Sequence, residues 1–179
     1  MQWIRYPIPN KKNLLNRLFN AKIFLKVDLK SGYWQIIIAP ENRYKTAFTM
    51  PFGHYEWKVM PFGLKNAPLE FQNIMNDIFN PYRSFSIIYI DDVLIFSESL
   101  DQHFKHLNIF LKIIKKNGPV VSAPKLKLFQ TRLRFLGHDI NKGTIKPLNR
   151  AVEFANKFPD ETKNKNQLQR FLECLNYIN

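Results

Sequence analysis

Two adjacent acids, Asp91 and Asp92, interrupt one of the most apolar stretches of the chain, FSIIYIDDVLIFSES at residues 85–99. Like charges among β-branched residues are costly unless the chain turns there, because a regular strand would bury one of them unpaired. A two-residue turn at the Asp pair removes the difficulty. It brings both carboxylates to one tip, with IIYI and VLIF as the antiparallel arms. Carboxylates held that close repel, so the tip calls for a positive partner, and no basic residue adjoins the pair in sequence. A hard, oxygen-ligated cation such as Mg²⁺ fits, with a third carboxylate to complete the donor set. Asp28 is the leading candidate: it ends the apolar run KIFLKVD, precedes a tight turn at Ser31-Gly32, and is the only acid in the first thirty residues. Two ions roughly 3.5–4 Å apart between such groups activate an attacking oxygen and stabilise a leaving one. That is the chemistry of phosphoryl transfer.

These residues need a scaffold, and the apolar periodicity supplies one. NKKNLLNRLF (10–19) has Leu14, Leu15, Leu18 and Phe19 at helical spacing with Asn10 as a cap, and KIFLKVD (22–28) is a strand ending at Asp28. SGYWQIIIA follows as a turn and a second extended or mixed segment. Residues 43–63 alternate polar residues with β-formers and are broken twice by Pro-Phe-Gly, which predicts a twisted hairpin or small sheet. NAPLEFQNIMNDIFNP (66–81) predicts a helix capped by Asn66, with Pro68 in its first turn and Phe71, Ile74, Met75, Ile78 and Phe79 on its apolar face. A further helix runs from about Asp101 to Lys116 and stops at Gly118-Pro119; KLKLF and RLRFLGHDI are strands, and the tail from Asn164 is a helix. The expected layout is α+β, with helices covering one face of an antiparallel sheet. His103 and His106 lie one helical turn apart, but no carboxylate or cysteine adjoins them, so no metal site is expected there.

Composition narrows the partners. The chain has 179 residues, 45% hydrophobic, with 27 Lys+Arg against 14 Asp+Glu and a formal net charge of +13. Residues 1–30 hold seven bases and one acid, 105–150 eleven bases and one acid, whereas 31–104 hold five bases and eight acids. An acidic centre between basic arms suits a polyanion held over a cation site. A single cysteine, Cys174, excludes a disulfide framework and a cysteine-based zinc site. No apolar run approaches the roughly 18 residues of a membrane span, and no signal-peptide apolar region opens the chain, so an intracellular location without membrane partners is expected.

YIDDVLIFS, VDLKSGYWQI, KTAFTMPFGHYEWKVMPFGLKNAPLEFQ and FLGHDI closely resemble the reverse transcriptases of plant pararetroviruses (the caulimovirus group) and of gypsy-type LTR retrotransposons. The resemblance covers nearly the whole chain, with the motifs in family order. It implies the palm of a right-hand polymerase, an antiparallel sheet covered by helices, with partial fingers and the start of the thumb or connection. The implied division is a fingers/palm junction over about 1–27 and 34–64, palm over about 28–33 and 65–130, a primer-grip hairpin over about 131–149, and the thumb start over 150–179. Asp28, Asp91 and Asp92 match the metal-binding triad, with the Leu29 carbonyl as a further ligand of two Mg²⁺ ions, or of Mn²⁺. Ser31, Gly32, Tyr33, Phe62, Gly63, Tyr89 and Ile90 match the nucleotide-binding positions, Tyr33 being the aromatic gate below the incoming sugar. Lys125, with Lys127 two residues on as its rival, matches the lysine that protonates the leaving pyrophosphate, and Phe135, Leu136, Gly137 and His138 match the primer grip. The implied partners are an RNA or DNA template with its primer, and dNTPs; the implied location is cytoplasm, virus-like particle or nucleus.

The resemblance also frays. Family members carry basic fingers strands upstream of YPIP, so the chain alone is expected to show little polymerase activity at ordinary dNTP concentrations. A ribonuclease H domain is expected in the intact polyprotein. Pro119 stands where the family has Leu, and Glu173 where it has Gly. The alternative reading is a catalytically dead endogenous viral remnant that keeps the fold and binds nucleic acid. A third is an interaction module like the inactive subunit of a dimeric polymerase. Primer extension and sedimentation separate the three.

Overall fold

The computed structural model describes residues 9–122, 126–149, 153, 161 and 164–178. The Asn10 side chain accepts the Lys12 N–H at 2.9 Å and so starts helix α1 (Lys11–Asn16). α1 and the turn after it bury Leu14, Leu15 and Leu18 and lead into strand β1 (Ile23–Asp28). After a 3-10 turn at Gly32–Gln35 and another at Pro40–Thr46 comes the short hairpin β2 (Phe48–Met50) and β3 (Gly53–Tyr55). Helix α2 (Ala67–Phe79) precedes β4 (Ser86–Tyr89) and β5 (Asp92–Ser97). Asn66 holds the N-cap position of α2 without a side-chain capping bond, so its expected role is not taken up.

Helix α3 (Leu100–Asn117) is capped by Ser99 and ended by Gly118 in the left-handed region at φ 78°. Pro119 follows the cap, where no helical N–H is required. The next residues pair with the chain beyond β1: Lys30 N donates to Val120 O at 3.0 Å and Ser122 N to Asp28 O at 2.9 Å. The short ladder therefore begins after Pro119, and the proline costs it no bond. Strands β6 (Lys127–Gln130), β7 (Arg132–Phe135), β8 (His138–Asn141) and β9 (Thr144–Pro147) follow, and helix α4 (Lys165–Ile178) is last. The side chain of Glu173, like Lys125, lies outside the described residues.

The central sheet is antiparallel, in the order β4-β5-β1-β6, and strand alternation gives it two apolar faces. Leu25, Val27, Ile88, Val93 and Ile95 pack with Phe71, Met75 and Phe79 of α2 and Phe110 and Ile113 of α3. Phe24, Ile87, Leu94 and Phe96 pack on the opposite side with Leu14, Leu15 and Leu18, and with Leu133, Phe135 and Ile140 of the β7-β8-β9 sheet. The expected helical cover on one face is thus present, and the second face is covered by α1 and a small sheet. β1 pairs with β5 along all six of its residues, so a boundary between residues 27 and 28 would divide a central strand.

Candidate active site

The acidic tip is built by the β4–β5 hairpin, one residue out of step with the expectation. Tyr89 pairs with Asp92, so the two-residue turn is Ile90-Asp91 and Asp92 is the first residue of β5. Val93 and Ile95 share the face of Ile88 in either register, and the observed one sets Val93 opposite Ile88. Its cost falls on Ile90, a β-branched residue at φ 53°. Gln72 of α2, wholly buried, holds that conformation: its Oε1 accepts the Ile90 N–H at 2.7 Å, and its Nε2 donates to Ile88 O at 3.3 Å. Gln72 is a positioning residue that the sequence analysis did not single out, although its spacing from Met75 and Phe79 places it on the buried stripe of α2.

Asp28, at the end of β1, is the direct cross-strand partner of Asp92. Leu29 N donates to Asp91 O at 3.3 Å and ties the end of β1 to the turn. The ladder beyond β1 runs through Asp28 O and Lys30 N rather than through the Leu29 carbonyl. Ser31 takes the left-handed conformation at φ 50° and turns the chain into Gly32, which is buried. A Cβ at Gly32 would meet Phe71 Cζ at 2.8 Å and Asp91 Oδ1 at 3.0 Å, so only glycine lets the Asp91 carboxylate lie against this turn. All three carboxylates therefore gather at one end of the sheet, the donor chemistry that Mg²⁺ or Mn²⁺ takes. Among the described residues, however, no three acidic, imidazole or thiol groups converge as a metal site. Asp92 is instead engaged by a cation that linear sequence hid: Lys26 Nζ lies 3.0 Å from its Oδ1.

Tyr33 stands beside this centre, its ring edge-on to Phe62 and to Phe71, each at 5.3 Å. Burial, and then the Asp91 charge, raise the Tyr33 phenol above its ordinary pKa, so it stays neutral. Phe62 is 60% exposed and, with Gly63, Trp34, Phe48, Trp57 and Leu64, lines an open hollow of about 440 Å³. Tyr89 and Ile90 belong to the acidic hairpin itself. Phe135 to His138 form a tight hairpin in which Leu136 and Gly137 are both left-handed, the geometry that suits the twist of its strands. Phe135 is 1% exposed, a root of the hairpin in the core, and His138 Nδ1 bonds Leu136 O at 3.1 Å. Lys127 is on β6, across from Lys26. His103 and His106 both bond Ser97 Oγ, at 2.9 and 2.8 Å, an arrangement of packing rather than of metal ligation.

No helix among the described residues is long and apolar enough to cross a membrane. The family model for reverse transcriptase (RNA-dependent DNA polymerase) matches residues 2–140. Over 174 residues the chain is 48% identical to the genome polyprotein of Petunia vein clearing virus, a match covering 97% of this chain and 8% of that protein. Over 172 residues it is 45% identical to the enzymatic polyprotein of Cauliflower mosaic virus, covering 96% of this chain and 25% of that one. The chain thus spans a quarter or less of the length of these viral relatives. Foamy viral protease-reverse transcriptase, solved in complex with double-stranded DNA, superposes with a TM-score of 0.83 at 24% identity, over 99% of this chain and 31% of that one. That likeness establishes the fold, that of a polymerase palm. With the family match running through Asp28, Asp91 and Asp92, the chain belongs to the reverse transcriptase family.

Proposed function

We propose that this domain is the polymerase of a pararetroviral or LTR-retroelement reverse transcriptase. The primer 3′-hydroxyl attacks the α-phosphate of a dNTP on an RNA or DNA template, and pyrophosphate leaves. The observation that carries the reading is the end of the central sheet, where Asp28 and Asp92 are cross-strand partners and Asp91 lies in the adjoining turn against Gly32. Asp28, Asp91 and Asp92 would hold two Mg²⁺ ions, or Mn²⁺ in their place, with the Leu29 carbonyl as a further ligand. Such ions, when bound, neutralise phosphate charge and make a hydroxyl a better nucleophile. Ser31 and Gly32 let the backbone approach the triphosphate without a side chain between.

The Tyr33 ring, fixed edge-on by Phe62 and Phe71, lies below the incoming sugar and excludes a 2′-hydroxyl by contact. Phe62 and Gly63 border the nucleotide, and Tyr89 and Ile90 carry the acidic turn beneath it. The hairpin at Phe135–His138 holds the primer end, with Leu136, Gly137 and His138 reaching it and Phe135 anchoring it. Lys125, or Lys127, protonates the leaving pyrophosphate. The homologous polyproteins and the superposed foamy viral enzyme support a nucleic-acid partner, and a ribonuclease H domain in the same polyprotein accords with the family. Residues 28–33 and 65–130, together with the rest of strand β1, are the palm of this reading, with the neighbouring segments as fingers junction, primer grip and thumb. Primer extension at saturating dNTP, with and without divalent cation, tests it. Cation-dependent extension that Asp91→Asn abolishes is the expected result. Duplex binding with no extension, or extension that survives Asp91→Asn, would overturn it.

A further inference from the structure

Lys26 lies against Asp92 at the edge of the acidic centre, and its surroundings explain why. Phe24, Lys26 and Asp28 alternate onto one face of β1, and Asp92 and Leu94 of β5 share that face. Asp28 is opposite Asp92 and Lys26 opposite Leu94, so Lys26 and Asp92 are diagonal neighbours, within reach of a long side chain. Their Nζ–Oδ1 distance is 3.0 Å, with the two side chains only 26% and 31% exposed. On its other side Lys26 faces Lys127 of β6, a like charge that disfavours a swing in that direction. The ammonium also lies 5.9 Å from the centroid of the buried Phe135 ring, at the root of the β7–β8 hairpin. It therefore touches the acidic centre and the hairpin at once.

We propose that Lys26 is a positioning residue of the acidic centre: its ammonium occupies Asp92 in the metal-free protein, and a divalent cation gains Asp92 only by displacing it. The inference rests on the functional reading above, since it takes Asp92 to be a metal ligand. One amine brings a single positive charge to Asp92. A divalent ion draws in several carboxylate oxygens, so it wins at sufficient concentration. The displaced ammonium keeps its contact with the Phe135 ring, which makes metal entry and the set of the hairpin interdependent. Lys26 thus raises the cation concentration at which the centre fills, and neutralises Asp92 until it does.

The test needs no substrate. Mn²⁺ binding to the chain is titrated by the loss of the free-ion electron paramagnetic resonance signal, at low ionic strength, for wild type, Lys26→Met, Lys26→Arg, Asp91→Asn, Asp92→Asn and the Lys26→Met/Asp92→Asn pair. Lys26→Met keeps the aliphatic stem and is expected to tighten Mn²⁺ binding about threefold to tenfold, the scale of one partly exposed ion pair. Lys26→Arg should retain the wild-type affinity, and Lys26→Met should change nothing once Asp92 is Asn. Should Lys26→Met fail to fold, Lys26→Gln carries the same comparison. Equal or weaker binding in the uncharged variant, or equal tightening in the Asp92→Asn background, overturns the inference while leaving the functional reading intact. Mn²⁺ binding that Asp91→Asn and Asp92→Asn leave unchanged overturns both.

Discussion

Lowering the pH should destabilise this fold through one buried histidine. His103 of α3 is wholly buried, and Ser97 Oγ lies 2.9 Å from its Nδ1. The same hydroxyl is 2.8 Å from Nδ1 of His106, which also lies 3.1 Å from Phe96 O. The donors and acceptors assign the protons: His106 Nδ1–H donates to the carbonyl and to Ser97 Oγ, and Ser97 O–H donates to His103 Nδ1. The remaining proton of His103 is on Nε2, which is buried with no hydrogen-bond partner in the structure. Protonating His103 would place a charge there and turn its Nδ1 into a second donor facing Ser97. Burial first, and the neighbouring His106 second, lower its pKa from 6.5 to about 4.

The sign of the effect follows from that direction. In the unfolded chain the imidazole takes its proton near pH 6.5, whereas in the folded chain it resists until about pH 4. The contribution of neutral His103 is therefore fully present above pH 6.5 and is lost as the pH falls towards 4. At 1.36 kcal/mol per unit, and allowing for local relaxation, about 1–2 kcal/mol should be gone by pH 5. His106, whose pKa burial also lowers, adds in the same direction. Urea unfolding of wild type and His103→Gln at pH 7.5 and pH 5 measures this. The amide keeps a partner for Ser97 but cannot titrate, so the variant should lose about 1–2 kcal/mol less than wild type over that interval. An equal loss in the two proteins would refute the assignment of the acid sensitivity to His103.

Gly32→Ala should lower stability by about 1–3 kcal/mol, since its methyl group would meet the Phe71 ring and the Asp91 carboxylate; a wild-type melting curve would contradict the packing described. Gln72→Leu should cost about 1–3 kcal/mol in denaturant titration by leaving the Ile90 N–H and the Ile88 carbonyl unsatisfied, and a neutral outcome would mean that the turn needs no support from α2. Asp91→Asn should weaken Mn²⁺ binding and could raise apo stability by relieving repulsion in the acidic turn; equal affinity by titration would remove Asp91 from the ligand set. Binding to a primer–template duplex should be sequence-independent and salt-sensitive, with a slope of log affinity against log salt of roughly −0.9 for each phosphate neutralised on a B-form duplex. A flat response in fluorescence anisotropy would show that the basic segment 105–150 does not meet nucleic acid.

The elements that local rules govern were legible in the sequence. Asn10 starts α1, Gly118 stops α3, and the alternation in KIFLKVD yields a strand that ends on Asp28, because caps and periodicity act over a few residues. The register of the acidic hairpin was not legible, since the contact that holds the observed turn comes from a helix distant in sequence. A turn at Asp91-Asp92 suits the turn chemistry of Asp and would leave Val93 and Ile95 on the same face of the sheet, so periodicity does not separate the two registers. The chain turns instead at Ile90-Asp91, where Ile90 takes a backbone conformation that β-branched residues avoid and donates its N–H to the buried Gln72. Gln72 and Lys26 were invisible for a related reason. Each meets the site across elements, Gln72 from a helix above the turn and Lys26 diagonally from the next strand, and neither relation leaves a mark on linear spacing.

The same register resolves how two adjacent acids are tolerated in so apolar a neighbourhood. They do not share an environment. Asp92, on the strand, faces the layer of α1 and the β7–β8–β9 sheet, where Lys26 meets it. Asp91, in the turn, lies against Gly32 and Phe71 on the side of α2. Each carboxylate thus has its own neighbours. The turn between those surroundings is held by the buried Gln72, whose Oε1 accepts the N–H of the left-handed Ile90.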